Sequence, residues 1–154
     1  MKYRKMLVPL DMSEYAECVL DHVKEIAATR AVPEVVLLNV VEPVRPAAQA
    51  YLGTEGSKAA ESNACDSAES YLDEIKARIS LEGSLVSTTV AIGEPADQIL
   101  KYIDGNGVDL VILSSHGRSG ASNWFLGSVV ERVLRRSSAP VFLVPSAECR
   151  VHAG

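Results

Sequence analysis

The stretch Ile112–Leu134, ILSSHGRSGASNWFLGSVVERVL, begins as an apolar strand and ends as an amphipathic helix. Between the two lie small and polar residues, among them Gly117, Gly120 and Gly127, with a Trp-Phe-Leu cluster at Trp124–Leu126. A strand that feeds a helix through so glycine-rich a connection has two readings. Either the connection holds an anion, or it needs small residues only for its own turns.

The surrounding chain decides which architecture carries that connection. Tyr3–Leu10 reads as a first strand, followed from Ser13 by helical spacing at Tyr15, Ala16, Val19, Leu20, Val23, Ile26 and Ala27. Asp11 and Ser13 are both candidate caps for that helix. Val35–Val41, VVLLNVV, is an apolar run of the kind buried on both faces of a parallel sheet. The segment 42–59 holds two prolines and two glycines with little periodicity, and reads as a long, partly mobile excursion. A helix over 61–82 follows, with Ala64, Ala68, Tyr71, Leu72, Ile75 and Ile79 on one stripe. SLVSTTVAIG alternates like an edge strand, and EPADQILKYIDGNG is a short helix with Pro95 in its first turn. VDLVILSS is the fourth strand and APVFLVP the fifth.

Strands that alternate with helices predict an α/β fold, a parallel sheet with helices on both faces joined by right-handed crossovers. At 154 residues the chain suits one domain, taken as 1–146, with 147–154 as a C-terminal tail. In such sheets ligands bind beyond the carboxyl ends of the strands, where the strand order reverses. Strand one ends near Asp11 and strand four near Ser114, so neighbouring positions at the reversal would bring both to one crevice.

Composition narrows the function classes. A net charge of −5 with no basic block argues against nucleic acid as a partner, though not against a single nucleotide. No run approaches the length of a membrane span and the N-terminus lacks a signal-peptide pattern, so the expected location is cytoplasmic, away from membranes. The three cysteines, Cys18, Cys65 and Cys149, form no CxxC pair and read as reduced thiols. His22, His116 and His152 have no metal-ligand spacing.

The common phosphate devices are missing. Neither GxxxxGK[ST] nor GxGxxG occurs, and GRSGAS has the wrong spacing for a nucleophile elbow. What remains is Gly117, nine residues, then Gly127-Ser128 at a helix start. A helix N-terminus presents unsatisfied N–H groups and the positive end of its dipole, which together attract phosphate. Gly127 admits close approach because it lacks a Cβ, and Ser128 adds a hydroxyl. The competing reading is structural: Ser128 and Glu131 are spaced as a capping box, so the serine would close its own helix.

With MLVPLDMSEYAE, VVLLNVVEP, GEPADQIL and VILSSHGRSGASNWFLGSVVERVLRRSSAPVFLVP, the chain resembles the universal stress proteins of the ATP-binding type. The family motif is Gly, two residues, Gly, nine residues, then Gly with Ser or Thr. Gly117, Gly127 and Ser128 match its last three positions, while Ser114 stands where the family has its first glycine. The resemblance implies a five-stranded sheet of order 3-2-1-4-5, Rossmann-like and similar to the adenine nucleotide alpha hydrolases. It implies Asp11 at the adenine or ribose end, Pro9 shaping that wall and Val40 offering backbone atoms to the adenine edge. Leu113, Ser114, His116 and Gly117 would line the ribose and phosphate side, and Gly127, Ser128, Val129 and Val130 would cradle the phosphates. It further implies ATP with Mg²⁺ as ligand, a homodimer through the last strand at Pro140–Pro145, and at most slow hydrolysis or autophosphorylation, with no catalytic residue assigned. A true ATPase or nucleotidyl transferase, and a stress protein that acts through protein contacts without ATP, are the alternatives.

Overall fold

The computed structural model describes residues 2–115 and 127–145. Five parallel strands are laid in the order β3-β2-β1-β4-β5: β1 Lys5–Pro9, β2 Glu34–Val41, β3 Leu85–Ile92, β4 Leu110–Ser114 and β5 Val141–Val144. The helices are α1 Glu14–Glu17, α2 Leu20–Arg30, α3 Pro46–Arg78, α4 Pro95–Gly105 and α5 Ser128–Arg136.

The side-chain alternation of the strands splits the core in two. Met6, Val8, Val35 and Leu37 pack with Val23 and Ala27 of α2 and with Leu72 and Ile75 of α3. Leu7, Val36, Leu38, Val111 and Leu113 face the other way, against Ile99 and Ile103 of α4 and Val133 of α5. Burial on both faces explains why β1, β2 and β4 are near-continuous apolar runs. The edge expectation for β3 holds, since it pairs with β2 alone and its residues are half-buried or exposed.

The first helix differs from expectation by a break. Ser13 is the N-cap of α1, its side chain accepting from Ala16 N–H at 3.2 Å, and the helix restarts as α2 after Cys18 and Val19. Asp11 is no cap. Its Oδ1 accepts from the backbone N–H of Ser13 at 2.9 Å and from the Ser13 hydroxyl at 2.5 Å, which fixes the capping serine. Between them Met12 has φ 69°, a left-handed conformation that a side chain disfavours.

A larger correction concerns 42–59. The chain is helical from Pro46, so the expected helix over 61–82 is the second part of a 33-residue element interrupted at Gly53, φ 72°. Residues 46–55 are exposed all round, so no apolar stripe betrays the helix. Glu61 Oε1 accepts from Val44 N–H at 3.4 Å and ties this part to the end of β2. The cysteine expectation is corrected at one position: Cys65 is a free thiol, whereas Cys18 is disulfide-bonded. Spacing along a sequence does not reveal which sulfurs come within bonding distance. No described helix is long and apolar enough to cross a membrane.

Candidate functional site

The strand order reverses between β1 and β4, which are hydrogen-bonded neighbours with Met6 opposite Leu110 and Leu7 opposite Val111. Beyond their carboxyl ends lies a cavity of about 280 Å³. Its floor is the α4–α5 face of the sheet, with Leu38 and Val40 of β2 and Leu113 of β4, and Pro9 and Ser114 line it at the ends of β1 and β4. Asp11 and Ala16 stand on one wall, Pro95 and Ile99 of α4 on another, and Gly127, Ser128, Val129 and Val130 form the rim at α5. Nine of the residues expected at the site thus share one space: Pro9, Asp11, Val40, Leu113, Ser114, Gly127, Ser128, Val129 and Val130. His116 and Gly117 lie outside the described residues, as do Trp124–Leu126.

The α5 rim decides between the two readings of Ser128. Gly127 is the N-cap, no side chain caps the helix, and Ser128 is the first helical residue. The capping box therefore does not form, because its register would require Ser128 itself at the cap. The first intrahelical bond runs from Glu131 N–H to Gly127 O at 2.9 Å. The N–H groups of Ser128, Val129 and Val130 precede it and have no partner inside the helix. Gly127 has φ −58°, open to any residue, and a Cβ built on it meets no described atom within 4 Å. Its glycine is required neither by the backbone conformation nor by packing against the described residues. The Gly127 N–H also approaches Ser115 O at 3.4 Å, joining the rim to the end of β4.

Two further residues hold the walls, and the sequence reading assigned neither to the site. Asn39 is a buried polar residue inside the apolar run of β2, 2% exposed, and its Nδ2 donates to Leu10 O at 2.7 Å. Leu10 N–H donates to Leu38 O at 2.8 Å, so the chain leaving β1 is held on both its polar groups beside Asp11. A lone Asn in VVLLNVV was the available signal, since a buried amide must find partners. Arg132, one turn into α5, bridges Glu94 Oε2 at 2.8 Å and Asp97 Oδ1 at 2.5 Å. Glu94 also caps α4, accepting from Asp97 N–H at 2.9 Å. Exposed pairs of this kind contribute under about 1 kcal/mol each; here they tie α5 to the N-terminal turn of α4. Leu38, Pro95 and Ile99 were also unassigned, although Leu38 precedes Val40 by one strand period and Ile99 follows Pro95 by one helical turn.

Behind the wall, the Tyr71 hydroxyl is buried without a hydrogen-bond partner. Burial, then the nearby carboxylates of Glu17 and Asp11, push its pKa above the ordinary tyrosine value, partly offset by Arg78. Among the described residues no group of three or more His, Cys, Asp or Glu side chains is arranged to hold a metal ion by itself.

The family model described as the universal stress protein family matches residues 2–145. The chain belongs to the universal stress protein family. It is 33% identical to universal stress protein MJ0577 of Methanocaldococcus jannaschii, over 92% of this chain and 94% of that protein. The solved structure of MJ0577 superposes with a TM-score of 0.81 at 32% identity, covering 94% of this chain and 97% of that one. A universal stress protein from Archaeoglobus fulgidus in complex with dAMP shares the fold, with TM-score 0.60 and 22% identity over 93% of this chain and 98% of that one. These likenesses agree with the five-stranded 3-2-1-4-5 sheet found here.

Proposed function

We propose that this universal stress protein binds an adenine nucleotide, ATP with Mg²⁺, in the cavity between β1, β2 and β4 and acts as a nucleotide-responsive module of the cytoplasm. The observation that carries the reading is Gly127. A cap glycine with ordinary φ, no described atom near where its Cβ would stand, and N–H groups behind it that have no backbone partner among the described residues make a cradle suited to an anion. The cavity volume, about 280 Å³, lies near the lower bound of ordinary ligand sites, about 300–1,000 Å³. Its lining of Pro9, Leu38, Val40 and Leu113 is apolar, which suits contact with a purine face. The dAMP complex of the Archaeoglobus fulgidus relative supports the nucleotide class.

The donor set fits a triphosphate better than it fits a bare metal ion. Ser128, Val129 and Val130 would hold phosphate oxygens through backbone N–H groups, with the Ser128 hydroxyl beside them. Mg²⁺ would then be held chiefly by the phosphates, and would neutralise their charge; Asp11 and Glu42 are the carboxylates on the cavity. Asp11 Oδ1 is engaged by Ser13, which suits a positioning role and not that of a general base. The reading is therefore a binding protein with at most slow hydrolysis or autophosphorylation. It pairs with a second copy through Pro140–Pro145, where Val141–Val144 is an edge strand and Phe142 is 40% exposed.

Gly127→Val tests the cradle. A side chain there starts from a Cβ that meets no described atom within 4 Å, so calorimetry should show MgATP affinity lost while the melting temperature stays within a few degrees of wild type. Unchanged affinity would overturn the assignment of α5 as the phosphate site.

A further inference from the structure

The end of β2 carries a backbone donor and acceptor that the sheet leaves unused. Along this strand the polar groups alternate in direction. Val41 O accepts from Gly93 N–H on the β3 side, whereas Leu38 O accepts from Leu10 N–H on the β1 side. Val40, two residues after Leu38, therefore turns its N–H and C=O toward β1. The β1–β2 pairing ends with Pro9 opposite Leu38, and the next rung of that parallel ladder would run from Val40 N–H to Leu10 O. The rung does not form. Val40 is half-buried, yet among the described residues neither of its backbone polar groups has a hydrogen-bond partner.

Asn39 accounts for the missing rung. Its Nδ2 donates to Leu10 O at 2.7 Å, so the carbonyl on which Val40 N–H would close is engaged by the neighbouring side chain. The amide does this from outside the cavity. Val40 packs on the α4–α5 face and lines the cavity, whereas Asn39 is 2% exposed, alternates to the other face and is not part of the lining.

We infer that Asn39 is the positioning residue that sets the base preference of the cavity, by holding Leu10 O away from Val40 so that the Val40 C=O and N–H stay open to the edge of an adenine. This rests on the nucleotide reading given above. Two strand spacings, about 10 Å, separate β2 from β4, which leaves room for a base and its ribose between Val40 and the α5 rim. Adenine presents an amino donor next to an unprotonated ring nitrogen, the complement of a C=O beside an N–H. Guanine and hypoxanthine present a carbonyl next to a ring N–H on that edge. Each would set oxygen against oxygen and N–H against N–H, and a site built to hydrogen-bond one pattern rejects the other because its own groups go unpaired. If the Asn39 amide is removed, Leu10 O loses its donor, the extra rung closes from Val40 N–H, and the base edge loses its partner.

Inosine triphosphate is the probe, since it differs from ATP only on that edge. By calorimetry, wild type should bind MgATP at least about tenfold more tightly than MgITP. Asn39→Leu should bring the two nucleotides within about threefold of each other by weakening MgATP alone, because the α5 cradle is untouched. Asn39→His, which keeps an N–H donor at that place, should retain the preference. Amide hydrogen exchange read by NMR follows Val40 itself. In nucleotide-free protein the Val40 N–H should exchange at least about tenfold more slowly in Asn39→Leu than in wild type, and in wild type MgATP should slow it where MgITP does not. Equal affinity of wild type for the two nucleotides, an equal loss of both in Asn39→Leu, or Val40 exchange that is the same in the two proteins would overturn the inference and leave nucleotide binding standing. Failure of wild type to bind either nucleotide would overturn the nucleotide reading, and this inference with it.

Discussion

Asn39→Asp isolates the hydrogen bond that fixes the cavity wall, because it keeps the shape of the side chain and changes one group. Asn39 is 2% exposed and its amide donates to Leu10 O at 2.7 Å. A carboxyl in that place can donate only when protonated; ionised, it is buried against a carbonyl oxygen that repels it. Its folded-state pKa must therefore rise above the unfolded value of about 3.9. The sign follows from linkage: stability is near that of wild type below about pH 4 and is lost as pH rises through the raised value. A rise of about 2 units, modest for a fully buried carboxyl, amounts to about 2.7 kcal/mol at 1.36 kcal/mol per unit. For a chain of this size that lowers Tm by about 5–11 °C at neutral pH. Urea denaturation of both proteins between pH 4 and pH 8 measures it. A stability difference that does not change with pH, or none at pH 8, would refute the role given to Asn39.

Three other outcomes are expected. Tyr71→Phe removes a buried hydroxyl with no partner and should be neutral or stabilising by up to about 1 kcal/mol. Because the Tyr71 pKa is raised on folding, wild type should lose stability above about pH 10, where unfolded tyrosine ionises, and the phenylalanine variant should lose less; parallel denaturation curves at pH 9 and pH 11 would contradict this. Met12→Gly relieves the left-handed φ of 69° and should stabilise by about 1 kcal/mol in thermal unfolding. Ser114→Gly restores the glycine of the family motif at the end of β4, and calorimetry should show MgATP affinity within threefold of wild type, since the cradle is made by the backbone of α5; a tenfold gain would mean that the Ser114 side chain obstructs the site.

The fold was legible because its strands are buried on both faces and its helices carry stripes, so burial wrote itself into the pattern. Where burial ends, the pattern ends too. Residues 46–55 are helical yet exposed on every side, and only Pro46 at the first helical position signalled the start. Nine of the proposed site residues meet at one cavity because they cluster at strand ends and at one helix start, positions that a parallel sheet gathers by topology. Asn39 and Arg132 escaped notice for a different reason. Each acts through a partner far away in sequence, Leu10 in one case and the first turn of α4 in the other, and such pairings appear only once the chain is folded. The Ser128–Glu131 spacing left two readings open in the sequence, and a matching pattern one residue out of register makes no cap.

The central claim is that the cavity at the β1–β4 reversal holds an adenine nucleotide. Its most direct test is to precipitate the purified wild-type protein, run the supernatant by HPLC, and titrate the emptied protein with MgATP in a calorimeter. The account predicts an adenine nucleotide in the supernatant at up to one per chain, and saturable MgATP binding with one site per chain that is absent in Gly127→Val. A supernatant free of nucleotide, together with no heat of binding to MgATP, would contradict it.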